Sequence, residues 1–249
     1  MEVLLAACIV FAASYVQGIV GFGSGMIAMA LLPYLFELRF AVAVVSVLGL
    51  FLSSTLVYQH RAALDPKRYR PLLLGGLVGI PMGVLFLMGG DPRVVRATLG
   101  VVIILYALGS LLPTRRLLGL KETSDIPGGD RWGYVAGLVG GALGGAFNTG
   151  GPPAVIYGSM RPWSHVEFAA TLQIFFLLTS VIQLVAFTWT GVITLEVLKV
   201  DAVLVPVTIV GGTLGARVAH RLNHDLARKM VLGLLLVLGC VFLYKAMIS

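Results

Sequence analysis

The feature that most constrains this chain is the spacing of its charged residues, which leaves eight long uncharged runs. A single helix crosses the roughly 30 Å hydrocarbon core of a bilayer with about 20 residues. The apolar fraction of 58% and the mean hydropathy of +0.97 exceed those of soluble domains. The sequence therefore predicts an all-α polytopic membrane protein with a single integral membrane domain over 1–249. The runs are 3–36, 41–59, 71–90, 97–114, 132–160, 168–195, 202–216 and 230–244.

Two of these runs, 3–36 and 132–160, are too long for one crossing helix, and each carries a glycine-dense segment near its middle. The segments are 21–25 and 147–153, and the second includes two adjacent prolines. Each run is either one tilted, broken helix or a re-entrant helical hairpin that turns back at the midplane. Backbone that leaves the helix at this depth must line a cavity or be buried in protein.

The distribution of Lys and Arg favours the hairpins. If both long runs return to the side they entered, 13 of the 18 basic residues share one face and 5 lie on the other. The positive-inside rule then predicts a multi-pass protein of the cytoplasmic (inner) membrane with both termini outside. Each half of the chain keeps three crossings, an odd number, so the halves are predicted to be inverted repeats. Repeat one is 1–114, the cytoplasmic linker 115–131, and repeat two 132–249.

Weak internal similarity supports two repeats. At an offset of 126 residues, Gly18 pairs with Gly144 and Gly25 pairs with Gly151. Many secondary transporters consist of inverted repeats with interrupted helices in matching positions, and their substrate binds between the repeats near the midplane.

The breaks predict a site for a small anion. Proline in the first turn of a helix costs no hydrogen bond, so the second arm is expected to begin at Pro152 with its N-terminus inside the membrane. Helix N-termini present free N–H groups and partial positive charge, which favour an anion. Polar side chains at the breaks add donors. The predicted substrate-binding residues are Gln17, Gly23, Ser24, Gly25, Asn148, Thr149, Gly150, Gly151 and Gln173.

Other classes of function find little support in the sequence. No set of nucleophile, base or metal ligands lies within an uncharged run, so we predict no enzyme, no catalytic residue, no metal site and no cofactor. The basic residues lie in short connections and determine topology, which argues against nucleic-acid binding. The expected partners are a small anionic substrate and the lipid bilayer, with a homodimer left open. The alternatives kept are a gated anion channel, a permease for another small anion and, less favoured, a membrane-embedded enzyme.

The acidic residues predict how transport is driven. All 11 lie at the ends of the uncharged runs or between them, whereas proton-coupled carriers commonly hold a carboxylate at membrane depth. We therefore expect a uniport driven by the substrate gradient and the membrane potential.

Two motifs resemble those of the sulfite exporter TauE/SafE family of membrane permeases, and the similarity covers essentially the whole chain. The resemblance implies export of sulfite or of an organosulfonate such as sulfoacetate. The motifs are Val16-Gln17-Gly18-Ile19-Val20-Gly21-Phe22-Gly23-Ser24-Gly25 and Gly144-Gly145-Ala146-Phe147-Asn148-Thr149-Gly150-Gly151-Pro152-Pro153-Ala154-Val155-Ile156-Tyr157.

Overall fold

A computed structural model describes residues 2–111 and 129–219, and this part of the chain is helical throughout, without strands. Short 3-10 turns occur at Leu32–Tyr34 and Arg61–Ala63. The predicted linker 115–131 lies mostly outside the described residues, as do the eighth run, 230–244, and the C-terminus. The helices are α1 (Glu2–Val20), α2 (Ser24–Leu31), α3 (Leu38–Gln59), α4 (Pro66–Gly89), α5 (Pro92–Leu111), α6 (Gly129–Phe147), α7 (Gly151–Ser159), α8 (His165–Trp189) and α9 (Leu195–Val218).

The described helices include five that are long and apolar enough to cross a membrane, namely α1, α3, α4, α8 and α9. The chain is therefore a multi-pass membrane protein with an all-α fold. Helix α3 is the most buried of these five, and we place it at the centre of the molecule.

Both long runs are broken where the glycine pattern predicts. The helix ends before residue 21 in the first run and before residue 148 in the second. The backbone is left-handed at Gly21 (φ 87°), Gly23 (φ 110°) and Asn148 (φ 56°). A right-handed helix cannot continue through such residues, so each run becomes a long helix followed by a short one.

Side-chain caps determine where several of the crossing helices begin. Asp65 accepts a hydrogen bond from Lys67 N at 3.0 Å, and Pro66 occupies the first helical position of α4. Ser164 and Glu167 form a reciprocal capping box at the start of α8. Thr194 Oγ1 accepts from Val197 N at 3.3 Å and starts α9. Each cap satisfies an N–H that has no partner in its own helix.

Glycines allow two pairs of helices to approach at backbone distance. A Cβ on Gly79 or Gly83 of α4 would overlap carbonyl oxygens of α6, and a Cβ on Gly18 of α1 would overlap the Gly212 carbonyl oxygen of α9. In both pairs the contacting residue numbers rise together, so α4 runs parallel to α6 and α1 runs parallel to α9. This close packing of small residues is typical of membrane helices.

The second broken run folds back on itself. A Cβ on Gly140 would lie 2.9 Å from Gly150 O, and a Cβ on Gly133 would lie 3.0 Å from the Tyr157 ring. At the far end, Arg161 forms an ion pair with Asp130 at 3.4 Å. Helix α7 therefore returns antiparallel to α6 and brings the chain back to the end from which α6 starts.

Candidate functional site

A cavity of about 60 Å³ lies between the two breaks. We call it the central cavity. Helices α1, α3, α8 and α9 complete its wall. Seven of the nine predicted binding residues line it, and no charged residue is among the described residues that do. The seven are Gln17, Gly23, Ser24, Gly25, Asn148, Gly150 and Gly151.

Two buried glutamines organise the first break. Gln17 Oε1 accepts hydrogen bonds from Ser24 N at 3.1 Å and from Ser24 Oγ. Gln17 Nε2 donates to Gln173 Oε1 at 3.1 Å, and Gln173 Nε2 donates to Gly21 O at 2.7 Å. These bonds tie the break to α8 and satisfy polar groups that the missing helical turn exposes. Gln173 lies outside the wall of the central cavity, so in this conformation it supports Gln17 from behind.

The polar side chains of the second break are already engaged within the protein. Asn148 Nδ2 donates to Val42 O at 2.9 Å, and Asn148 Oδ1 accepts from Ser46 Oγ at 3.3 Å. Thr149 is fully buried, donates to Leu143 O at 3.3 Å, and does not line the central cavity. From the sequence, Asn148 and Thr149 were predicted to donate to a substrate. In this conformation they instead fix the second break against α3 and α6.

Gln183 of α8 is a structural residue that the sequence analysis missed. Its Nε2 donates to Gly144 O at 2.8 Å and to Gly145 O at 3.1 Å, so it satisfies carbonyl groups at the end of α6. With Gln173 acting at the first break, α8 supplies one glutamine to each break.

Ser53 of α3 supplies an unused donor in the central cavity. It is 1% exposed, and its Oγ has no hydrogen-bond partner. The hydroxyls of Ser14, Thr179 and Thr208 also line the cavity, but each donates to a carbonyl of its own helix. Ser53 escaped the sequence analysis, although its position, 126 residues before Thr179, matches the repeat offset.

The first turns of α2 and α7 supply backbone donors unequally. Both helices begin at the cavity, and early amides such as those of Gly25 and Met26 have no acceptor in their own helix. Helix α7 has Pro152 and Pro153 in its first turn, which removes two N–H groups. At the α2 terminus the N–H groups of Gly25 and Met26 are left, because Ser24 N already donates to Gln17 Oε1 at 3.1 Å.

A larger chamber of about 580 Å³ lies beside the central cavity, and we call it the vestibule. Gln17 lines both spaces, so it stands between them. Arg161, His60 and His165 line the vestibule, without any Asp or Glu among its described lining residues. The Arg161 guanidinium lies over the rings of Tyr157 (5.6 Å) and Trp163 (5.8 Å). The ion pair with Asp130 compensates the charge of Arg161 in this conformation.

Asp201 lies further inside its helix than its position beside an uncharged run indicates. The uncharged run starts at 202, which suggested that Asp201 lies at a helix end, but α9 begins at Leu195 under its Thr194 cap. Asp201 is the seventh residue of the helix and is 3% exposed. Asp201 is therefore a buried carboxylate inside a helix that is long enough to cross the membrane, although it stands at the edge of an uncharged run. In the described ranges, 2–111 and 129–219, no group of three His, Cys, Asp or Glu residues could hold a metal ion.

The fold and the cavity define a multi-pass membrane protein with a small chamber at the junction of two broken helices. Residues 5–242 match the family described as "Sulfite exporter TauE/SafE", and the chain belongs to that family, which is one of membrane transport proteins. The chain is similar to a "Probable sulfite/organosulfonate exporter TauE" from Cupriavidus necator. The two are 28% identical over 240 residues, which is 94% of this chain and 91% of the relative. No solved structure matches this chain.

Proposed function

We propose that this chain is a secondary transporter that exports a small sulfur-containing anion, sulfite or an organosulfonate, across the cytoplasmic membrane. The observation that carries the proposal is the central cavity, where both breaks and the unpartnered Ser53 hydroxyl meet. Family membership and the name of the relative from C. necator supply the substrate class.

Contacts near the basic connections support the topology of the second repeat. Arg68 forms an ion pair with Glu167 at 2.7 Å, which brings the starts of α4 and α8 together. Because α4 and α6 pack in parallel, the start of α6 lies on the same side as the start of α4. The Arg161–Asp130 ion pair brings the end of α7 to that side as well. The hairpin α6–α7 thus enters and leaves on one side, which we assign to the cytoplasm because its connections are basic.

The packing of the first repeat against the second supports the orientation that we propose for it. Helix α8 crosses away from the cytoplasmic side, so α9 starts outside, and α1 starts outside because it runs parallel to α9. Helix α3 ends just before α4 begins, so it also starts outside. The hairpin α1–α2 then enters and leaves from the outside. We propose two inverted repeats, and each consists of a re-entrant hairpin followed by three crossing helices. The two hairpins have opposite orientations, and α5 is the third crossing of the first repeat. The third crossing of the second repeat, 230–244, lies outside the described residues.

The size of the central cavity fits a small ligand. One water needs about 10–15 Å³ of such space, so 60 Å³ corresponds to about four to six water-sized atoms. Sulfite has four non-hydrogen atoms and sulfoacetate has eight. In this conformation the cavity fits sulfite or a single sulfonate headgroup, and a larger organosulfonate requires it to widen.

The chemistry of the cavity wall suits an anion that must also be released. Backbone N–H groups at the α2 terminus, the Gln17 amide and the Ser53 hydroxyl donate hydrogen bonds, while a fixed cation is absent among the described lining residues. Neutral donors bind an anion with lower affinity than a desolvated Arg or Lys. We propose that this moderate affinity allows turnover.

Flux into proteoliposomes tests the proposal, using sulfite, sulfoacetate, thiosulfate, sulfate and acetate. We expect sulfite or a sulfonate to exchange across the membrane, and an excess of the same anion inside to accelerate uptake of labelled anion. The matched controls are empty liposomes and protein carrying Gly151→Leu, because Gly151 lines the central cavity and a Cβ there meets only side-chain atoms at 3.7 Å. Flux of none of the sulfur anions would refute the proposal. Single-channel currents without acceleration by internal anion would favour the gated channel instead.

A further inference from the structure

Asp201 is a buried carboxylate that the proposed transport function does not use. It lies about 9 Å along α9 from Leu195, and neither carboxylate oxygen has a hydrogen-bond partner. An ionised carboxylate without donors is very costly inside a membrane, whereas the neutral acid costs far less.

Within residues 2–111 and 129–219, the helices packed against α9 form no ion pair with Asp201. In the described part of the chain these are mainly α1 and α3, and no ion pair joins any of their side chains to Asp201. The ionisable groups of α1 are Glu2, Cys8 and Tyr15, and those of α3 are Arg39 and Tyr58. Arg39 donates instead to Met88 O at 3.0 Å. On α9 itself, Glu196, Lys199 and Arg217 are exposed.

The position of Asp201 connects it to the central cavity. Asp201, Leu204 and Thr208 are buried at helical spacing on one face of α9, and Thr208 lines the cavity. Seven residues separate Asp201 from Thr208, which is about 10 Å along the helix axis. Asp201 therefore lies between the cavity and the end of α9 at Leu195.

We propose that Asp201 is a proton-binding site, that it carries a proton in this conformation, and that its protonation is linked to occupancy of the central cavity by an anion. The linkage rests on the proposed function, whereas the proton site itself does not. Two negative charges about 10 Å apart in a protein of effective dielectric constant about 20 repel each other enough to change an affinity about tenfold. An anion in the cavity thus favours protonated Asp201.

Infrared spectroscopy tests the proton site without any substrate. We expect wild-type protein at neutral pH to show the C=O stretch of a protonated carboxylic acid. Asp201→Asn should remove this band, and Glu196→Gln, an exposed change on the same helix, should retain it. If Asp201→Asn does not fold, Asp201→Glu should shift the band. Absence of the band from wild-type protein, or its persistence in folded Asp201→Asn, would overturn the proposal.

Anion binding as a function of pH tests the linkage. Methanesulfonate is a suitable probe because its charge stays constant over the working range. We expect its affinity for wild-type protein and for Glu196→Gln to fall about tenfold as the pH rises through the range where Asp201 ionises. Affinity for Asp201→Asn should be independent of pH. The same pH dependence in Asp201→Asn, or none in wild-type protein, would refute the linkage. If neither methanesulfonate nor sulfite binds, the proposed function fails while the infrared result still decides the proton site.

Discussion

Replacing Ser53 with alanine should weaken anion binding without destabilising the protein. The Ser53 hydroxyl is buried in the central cavity and has no partner. A hydrogen bond to a charged group contributes about 1.5–3 kcal/mol, and each 1.4 kcal/mol is a factor of ten in affinity. Ser53→Ala should therefore raise the Kd for sulfite or methanesulfonate about tenfold or more.

Ser53→Ala should not lower the stability of the anion-free protein. A buried hydroxyl without a partner costs about 1–3 kcal/mol, so its removal should leave the thermal midpoint unchanged or slightly higher. The two effects separate a binding role from a packing role, because loss of packing would lower stability as well as affinity.

Ser14→Ala is the matched control for this prediction. Ser14 lines the same cavity, but its single hydroxyl hydrogen is donated to Phe11 O at 3.0 Å. Its removal should change the Kd by less than about threefold. Titration calorimetry on purified protein measures the Kd, and scanning calorimetry measures the thermal midpoint. The reasoning is refuted if folded Ser53→Ala binds as wild-type protein does, or if Ser14→Ala loses as much affinity.

Three further predictions concern the breaks and the topology. Gly25→Ala places a Cβ against the Asn148 carbonyl oxygen and should destabilise the protein by about 1–3 kcal/mol in thermal or denaturant unfolding, whereas Gly89→Ala meets open space and should not. Asn148→Ala and Asn148→Gly both lose two hydrogen bonds, but alanine also resists the left-handed backbone, so Asn148→Ala should unfold more readily by about 1 kcal/mol; equal stabilities would contradict this. In protein without its native cysteines, labels at Glu37→Cys, an exposed position just before α3, and at Ala63→Cys should react from opposite sides of the membrane. Reaction from the same side would refute the proposed topology.

The sequence alone determined the fold class and the positions of the breaks. Uncharged runs of membrane-spanning length specify crossing helices because a bilayer offers no partner to an open backbone. Glycine at 21 and 23 permits left-handed backbone, and a proline pair at 152–153 can only begin a helix, so these local signals located the ends of α1 and α6 to within a residue. Most of the site residues predicted from these signals line the central cavity.

Hydrogen-bond partners were decided by the tertiary structure. Asn148 and Thr149 read as substrate donors in sequence, yet contacts with α3 and α6 engage them. Gln17 and Gln173 meet across 156 positions of the chain, and the sequence gives no sign of that pairing. A side-chain donor is free for a ligand only if packing leaves it without a nearer acceptor, and packing is a property of distant segments.

The depth of Asp201 was decided in the same way. A charge at the edge of an uncharged run reads as a helix end, but the cap at Thr194 starts α9 two turns earlier. An uncharged run shows where charged residues are absent, but it does not show where a helix begins. Only the packing of α9 against its neighbours, which buries Asp201 and leaves Glu196 and Lys199 exposed, distinguishes a carboxylate inside the protein from those at its surface.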